Sequence, residues 1–251
     1  MALERLGLDW ESWSECGQEH LARYQFASQY VRGARVLDIA CGAGYGSWIL
    51  AQSGAVSVLG VDRDAGTVEG AARHFVHPRL RFECVAAEAL QGGELFDAVV
   101  SFETIEHVPD PKGFIGVLRR SLKPGGTLVL SSPNPLLHSK APGAEPNPYH
   151  LEEPSHDQLM EWLRPHFSEF EQHGQFRTFY GTTYEEARMA ALVRSRLLRS
   201  VLALEGWVRG LTGQPPMEQP IVGNRMRSGR QILPLPPHLR DRCENFLIVA
   251  R

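Results

Sequence analysis

Glu103-Thr-Ile-Glu106-His107 is the densest run of chemically able side chains in the sequence. Spacing of i, i+3 and i+4 would bring its two carboxylates and its imidazole near one face of a helical turn. Two hard oxygens and one nitrogen suit Mg²⁺, Mn²⁺, Fe²⁺ or Zn²⁺. His150, in Asn147-Pro-Tyr-His, is a further imidazole that can approach from a neighbouring strand end. The other histidines fall in stretches that read as surface or loop. His20 stands apart, because it lies one helical turn from Arg23.

A second chemical stretch lies earlier, at Val36-Leu-Asp-Ile-Ala-Cys-Gly-Ala-Gly-Tyr-Gly-Ser47. An apolar strand ends in Asp38, a glycine-dense turn follows, and a helix begins at once. Gly42, Gly44 and Gly46 leave backbone free to approach a ligand. The free N–H groups of the helix N-terminus point at that ligand. Val56-Ser-Val-Leu-Gly-Val-Asp62 reads as a second strand, with Asp62 lying 20 residues after Gly42. A carboxylate at that point can accept both hydroxyls of a ribose. Asp38 would repel a pyrophosphate and attract a sulfonium or an α-amino group, which disfavours a nicotinamide dinucleotide.

Leu-Asp-Ile-Ala-Cys-Gly-Ala-Gly, Gly-Val-Asp62, Phe96-Asp-Ala-Val-Val-Ser101 and Leu122-Lys-Pro-Gly-Gly-Thr-Leu-Val-Leu130 follow one another in the order of known motifs. The chain resembles class I S-adenosylmethionine (SAM) methyltransferases over roughly residues 20–175. The resemblance implies a Rossmann-like α/β fold, a doubly wound seven-stranded sheet of order 3-2-1-4-5-7-6. It implies SAM as cofactor, with contacts from Asp38, Ala40, Gly42, Gly44, Asp62, Arg63, Ser101 and Phe102. Ala40 stands where the family commonly has a glycine, and Ala86 where an Asp often meets adenine. Adenine contacts are therefore expected from Ala87 and Glu88. The family often places a helix over the cofactor, and residues 17–31 read as that helix. Arg23 on it can clamp the cofactor's carboxylate.

Glu103-Thr-Ile-Glu106-His107 resembles the Glu-x-x-Glu-His motif of ubiquinone-pathway O-methyltransferases and of small-RNA 3′-end methyltransferases. In the latter a later His completes a metal site, and His150 is similar in place. The resemblance implies a metal held by Glu103, Glu106, His107 and His150 that would ligate a vicinal diol and lower a hydroxyl pKa. His107 or His150 can instead be a general base. On the blander reading Glu103 lines the cofactor pocket and Glu106-His107 only begins the next helix. The expected reaction is methyl transfer to a hydroxyl of a small molecule, a sugar or polyol in natural-product or glycan biosynthesis. N- or C-methylation, a catechol or RNA-end acceptor, and a non-catalytic SAM-binding partner are the alternatives.

Around these motifs the sequence supplies one α/β domain over 1–251. Helices are expected over Tyr45–Gln52, Thr67–Phe75, Pro111–Leu122 and Ser155–Leu163. Further strands are expected over Arg79–Val85, Phe96–Phe102, Thr127–Ser131, Phe167–His173 and Asn245–Arg251. Between the last two strands, about 175–242 reads as a helical and Pro-rich cap, with an amphipathic helix over Met189–Val208. Residues 175–230 carry nine Arg against four Glu, a net of +5 in a chain of net charge −3. A lid that attracts an anionic, diphosphate-linked acceptor fits that charge, as does a solvated helix face. The apolar stripe of that helix serves a second subunit of a homo-oligomer equally well. The chain's net charge disfavours nucleic acid as a partner. Cys16, Cys41, Cys84 and Cys243 lack metal or disulfide spacing, and Cys41 and Cys84 fall in or beside expected core strands. Residues 1–15 carry Glu4, Arg5, Asp9 and Glu11 rather than an apolar core, so a cytoplasmic protein with no membrane span is expected.

Overall fold

In the computed structural model, residues 15–90, 95–139, 147–178 and 229–251 are described. Two compact units divide the chain, one of residues 1–176 with 232–251 and one of residues 177–231. Only the ends of the second fall within the described residues. The expected helix over Met189–Val208, and most of the 175–242 cap, lie outside them.

β1 (Arg35–Ile39), β2 (Ser57–Asp62), β3 (Leu80–Cys84), β4 (Phe96–Ser101) and β5 (Leu122–Pro133) form the parallel part of the sheet. β8 (Asn245–Ala250) lies antiparallel between β5 and β6 (Phe170–Thr178). The full order is β3-β2-β1-β4-β5-β8-β6-β7, with β7 at Gly229–Pro234. The doubly wound order is as expected, with one strand more. Residues 229–234 read as part of a Pro-rich loop, yet they pair at the sheet edge, where a proline ending the strand costs no ladder bond. β6 starts and ends later than expected. β5 starts five residues early, because Leu122 pairs with Phe96 before the Lys123-Pro-Gly-Gly126 turn shifts the register. Lys123 Nζ bonds Asp97 Oδ1 at 2.6 Å across that shift.

The helices are α1 (Glu15–Ala27), α2 (Tyr45–Gln52), α3 (Ala65–His74), α4 (Pro111–Ser121) and α5 (His156–Leu163). Side chains that are good N-caps start the last three. Asp64 accepts from Thr67 N–H, Asp110 from Gly113 N–H and Ser155 from Gln158 N–H. The Gln158 side-chain amide donates to Glu152 Oε1.

Strand alternation sorts the core into two faces. Leu37, Ile39, Val99, Leu128 and Leu130 pack with Phe114, Ile115 and Leu118 of α4 and with Leu159 and Leu163 of α5. Val36, Ala98, Val100 and Val129 pack on the other face with Tyr24 and Ala27 of α1 and Leu50 of α2. Asp38 shares the parity of Val36, so its carboxylate faces α1 and α2 in the interior. β3 is an edge strand, and Cys84 on it is exposed rather than part of the core, while Cys41 and Cys243 are buried. Among the described residues no helix is long and apolar enough to cross a membrane.

Tyr24 locks α1 onto α2. Its ring fills the space over Gly46 so closely that a Cβ there would lie 2.0 Å from a ring carbon. Alanine favours a helix over glycine by roughly 0.5–1 kcal/mol. The overlap with Tyr24 should reverse that sign, so Gly46→Ala is expected to destabilise by about 1–3 kcal/mol. Thermal unfolding by circular dichroism reads this as a midpoint roughly 2–10 °C lower. An unchanged or higher midpoint would mean that α1 does not pack this tightly.

Candidate active site

A cavity of about 530 Å³ opens at the carboxyl ends of β1, β2 and β4, where open α/β sheets bind ligands. One end is lined by Asp62, Arg63, Val85, Ala87 and Glu88. Two backbone donors orient the Asp62 carboxylate. Gly42 N–H reaches Oδ2 at 3.1 Å and Asp64 N–H reaches Oδ1 at 3.0 Å. The middle is walled by Ala40, Gly42 and Phe102, with His20 and Tyr24 contributed by α1. The far end is formed by Glu103, His107, Pro148, Tyr149 and Leu151.

Ala40 holds φ at +58° and Glu103 at +48°, the two positive-φ residues other than glycine among the described residues. Both follow a parallel strand at its carboxyl end, and such strain collects at ligand sites. Gly44 takes φ +86° as the residue before α2 and does not line the cavity. Ser101 is fully buried at the end of β4, and its hydroxyl has no hydrogen-bond partner.

Asp38 lies behind the cavity wall, fully buried. It accepts from Ser47 Oγ at 2.6 Å and from Tyr24 OH at 3.1 Å. Burial pushes its pKa up to about 7 despite those hydrogen bonds, with the Asp62 charge adding to the rise.

Arg23 does not reach the cavity. It is 1% exposed, its Nη1 donates to Gln175 Oε1 at 2.6 Å, and its Nη2 lies 3.9 Å from Glu103 Oε2. A residue 152 positions away thus engages the guanidinium from which a clamp on a cofactor carboxylate was expected.

Glu103, Glu106 and His107 do not share one helical face. The positive φ at Glu103 breaks the chain before a 3₁₀ turn over Ile105–His107. Glu103 turns to Ser131 and Asn245, accepting from Ser131 Oγ at 2.6 Å and from Asn245 Nδ2 at 2.7 Å. Glu106, His107 and His150 do come together, with ligating atoms within 4.8 Å of one another. The two imidazole rings meet edge to face, centroids 4.7 Å apart. His107 Nδ1 donates to the Tyr149 carbonyl at 3.0 Å, and His150 Nδ1 pairs with Glu153 Oε1 at 2.5 Å. Each ring thus has its Nδ1 oriented by an outer group, which aims Nε2 inward. Glu106 is fully buried, and neither carboxylate oxygen has a hydrogen-bond partner in the described structure. Burial, and then the charge of Glu103, hold its pKa well above the usual carboxylate range. A buried carboxylate with no donor is what a cation between these three groups would satisfy.

His20, Tyr149 and Glu153 take places here that the spacing of the motifs does not assign. Tyr149 and Glu153 flank His150 in sequence, which is the signal that could have found them.

A methyltransferase-domain family model matches residues 17–180, more than half of the chain. The chain is 31% identical over 169 residues to a probable S-adenosylmethionine-dependent methyltransferase of Mycolicibacterium smegmatis, covering 67% of this chain and 64% of that one. It is 38% identical over 106 residues to a ubiquinone biosynthesis O-methyltransferase of Idiomarina loihiensis, covering 41% and 43%. The chain therefore spans less than two thirds of these relatives' lengths. An S-adenosylmethionine-dependent methyltransferase of Mesorhizobium loti shares the fold, at a TM-score of 0.55 and 17% identity over 93% of this chain and 99% of that one. The glycine-rich turn, the sheet order and the family match agree, and the chain belongs to the class I SAM-dependent methyltransferases.

Asp38 gives this site a pH signature. Its folded pKa, about 7, lies above the ordinary carboxylate value of about 3.9. The folded state thus keeps a proton that the unfolded state releases, and stability falls as pH rises from about 4 through 7. Asp38→Asn removes that titration. The midpoint of the variant minus that of the wild type should therefore increase from pH 5.5 to pH 8 in ligand-free protein. A difference that stays constant over this range would show that Asp38 is not held protonated.

Proposed function

We propose that this chain transfers the methyl group of SAM to a hydroxyl oxygen of a small molecule, with a divalent metal held by Glu106, His107 and His150. The observation that carries the metal is the convergence of two oriented imidazoles on a buried carboxylate that lacks donors. Two nitrogens and one oxygen suit Fe²⁺, Mn²⁺ or Zn²⁺ better than Mg²⁺, which prefers oxygen ligands. Bound there, the metal would supply charge that lowers the pKa of a nearby hydroxyl.

The protein's own residues do the positioning. Asp62 and Glu88 fit the adenosine hydroxyls and adenine edge, and the bare Ala40–Gly42 turn lets the rest of the cofactor approach the backbone. The sulfonium is already activated, so the wall must mainly hold an acceptor oxygen in line with the methyl group. In the transfer the S–CH₃ bond breaks and the O–CH₃ bond forms. The sulfur keeps the bonding electrons as S-adenosylhomocysteine, and the hydroxyl proton leaves to a base or to water.

The acceptor end supports a particular shape. Tyr149 and Leu151 are 46% and 61% exposed, yet they line the cavity beside His107. An apolar or planar body bearing adjacent oxygens can lie on that wall while its oxygens face the triad. Relatives named for ubiquinone biosynthesis agree with O-methylation. A sugar or polyol, the expectation from sequence, has the adjacent hydroxyls but little use for the apolar wall. The diphosphate-linked acceptor and the subunit-docking role both rest on the segment outside the described residues.

The test is calorimetric titration of chelator-stripped protein with Mn²⁺, Fe²⁺ and Zn²⁺, followed by S-adenosylhomocysteine release with catechol, glycoside and simple diol acceptors. One metal per chain is expected, weakened at least about tenfold in Glu106→Gln and His150→Ala and retained in Glu103→Gln. Activity should follow metal content and favour the catechol. No metal binding would remove the metal and leave His150, paired with Glu153, as a general base. Loss in Glu103→Gln but not in Glu106→Gln would sink the assignment of ligands.

A further inference from the structure

A second cavity, of about 650 Å³, lies at the opposite end of the sheet. The cavity described above opens at the carboxyl ends of the parallel strands. This one is lined by Gly125, near the start of β5, and by Arg251, which follows the antiparallel β8 and so lies at the amino ends. None of its residues takes part in the methyl transfer proposed above.

Its wall is rich in guanidinium groups. Arg119 stands in the last turn of α4, and Arg164 directly follows α5. A cation at the end of a helix offsets the macrodipole, which accounts for each arginine separately. It does not account for both lining one concavity together with Arg251. Among the described residues neither Arg119 nor Arg164 has an ion pair.

Arg119 is oriented by its surroundings. Its Nε donates to the His166 carbonyl at 3.2 Å, and its guanidinium lies over the Phe167 ring, 5.9 Å from the centroid. That bond uses one N–H and leaves the two terminal nitrogens as a fork, the part of arginine that matches phosphate oxygens bidentately. Arg251 is held as firmly. Its Nη1 donates to Glu171 Oε1 at 2.8 Å, and its guanidinium lies over Tyr30 at 5.9 Å. Glu171 offsets its charge, so Arg251 shapes the rim more than it charges it.

Backbone bonds fix two sides of the cavity. Ser168 N–H and Glu169 N–H both donate to the Arg251 carbonyl, at 2.9 Å and 3.1 Å, and Arg251 N–H donates to the Glu169 carbonyl at 3.0 Å. Gly125 takes φ +73°, and a Cβ there would meet nothing within 4 Å. That part of the wall is bare backbone beside open space. Glu169 is the one acidic side chain on the wall, and among the described residues it makes no ion pair with these arginines.

We propose that this cavity binds a phosphate group, free or carried by a small monoester, between the guanidinium groups of Arg119 and Arg164. Two arginines that the protein leaves without acidic partners suit an oxyanion. The volume exceeds what a lone phosphate fills, so a small organic body fits beside it along Gly125. The whole chain carries a net charge of −3, which does not draw anions from a distance, so the affinity comes from these local groups.

Calorimetry on the full chain at low ionic strength tests this, with chelator present and with or without S-adenosylhomocysteine. Inorganic phosphate and phenyl phosphate are the probes. One site per chain is expected, equally tight in both conditions, because the other cavity has no part in it. Arg164→Gln and Arg119→Gln should each weaken binding about tenfold, the size expected for a hydrogen bond to a charged group. Arg73→Gln, which removes a 70% exposed side chain on α3, should leave it unchanged. Glu169→Gln should tighten it, since a like charge is gone. Tighter binding of phenyl phosphate than of phosphate assigns the site to a monoester, and equal binding assigns it to free phosphate. Arg164 is exposed, so its variant folds even if loss of the stacked Arg119 is not tolerated. Absence of saturable binding by either probe, or an affinity that Arg164→Gln alters no more than Arg73→Gln does, overturns the proposal.

Discussion

Four carboxylates crowd the carboxyl ends of β1, β2 and β4, and each must be compensated for leaving water. Asp38 is compensated by two hydroxyls, Ser47 and Tyr24. Asp62 is compensated by two backbone N–H groups. Glu103 is compensated by Ser131 and Asn245, with Arg23 at 3.9 Å. Glu106 has no such donors. This gradation decides what each group can do. A carboxylate whose lone pairs are filled by the protein holds shape, and one that is buried and unfilled is poised for a cation.

Much of the fold was legible because it is set by local pattern. The apolar runs of β1, β4 and β5 are the signature of strands covered on both faces, and all three form in the expected order. α4 and α5 form where local signals put them, Pro111 in the first turn of one and Ser155 as the cap of the other. The misreadings come where pairing partners are distant. β7 reads as a loop from sequence because Pro234 falls close to Pro236 and Pro237, and the edge position that tolerates it is set by distant pairing. β5 was read short because a Pro-Gly-Gly turn normally ends a strand, whereas here β4 supplies a partner for Leu122 on its near side.

The candidate site divides in the same way. The placement of the Gly42 turn and of Asp62 on the cavity wall is legible because each belongs to one strand–loop–helix unit. The fates of Arg23 and Glu103 were not readable, because Gln175 and Asn245 lie 152 and 142 residues away. Helical spacing joined Glu103 to Glu106 on paper, but periodicity carries no information about a single residue with positive φ. The length of the Arg23 side chain is what lets it reach Gln175.

The segment 147–153 ties the triad to the acceptor wall. Leu151 N–H donates to the Glu106 carbonyl at 2.7 Å, the Tyr149 carbonyl orients His107, and Asn147 Oδ1 accepts from Tyr149 N–H at 3.0 Å. One short turn therefore supplies His150, the carbonyl that orients His107, and the exposed apolar surface of Tyr149 and Leu151. A shift of this turn by an ångström would misplace the imidazoles and the acceptor surface together, and reaction geometry is sensitive to displacements of that size. On the metal-assisted reading proposed above, selectivity for an acceptor and affinity for an ion are thus properties of one piece of backbone. A substitution here that enlarges the acceptor space without disturbing the turn must act through the side chains at 149 and 151, since the main chain between them is already committed to Glu106 and His107.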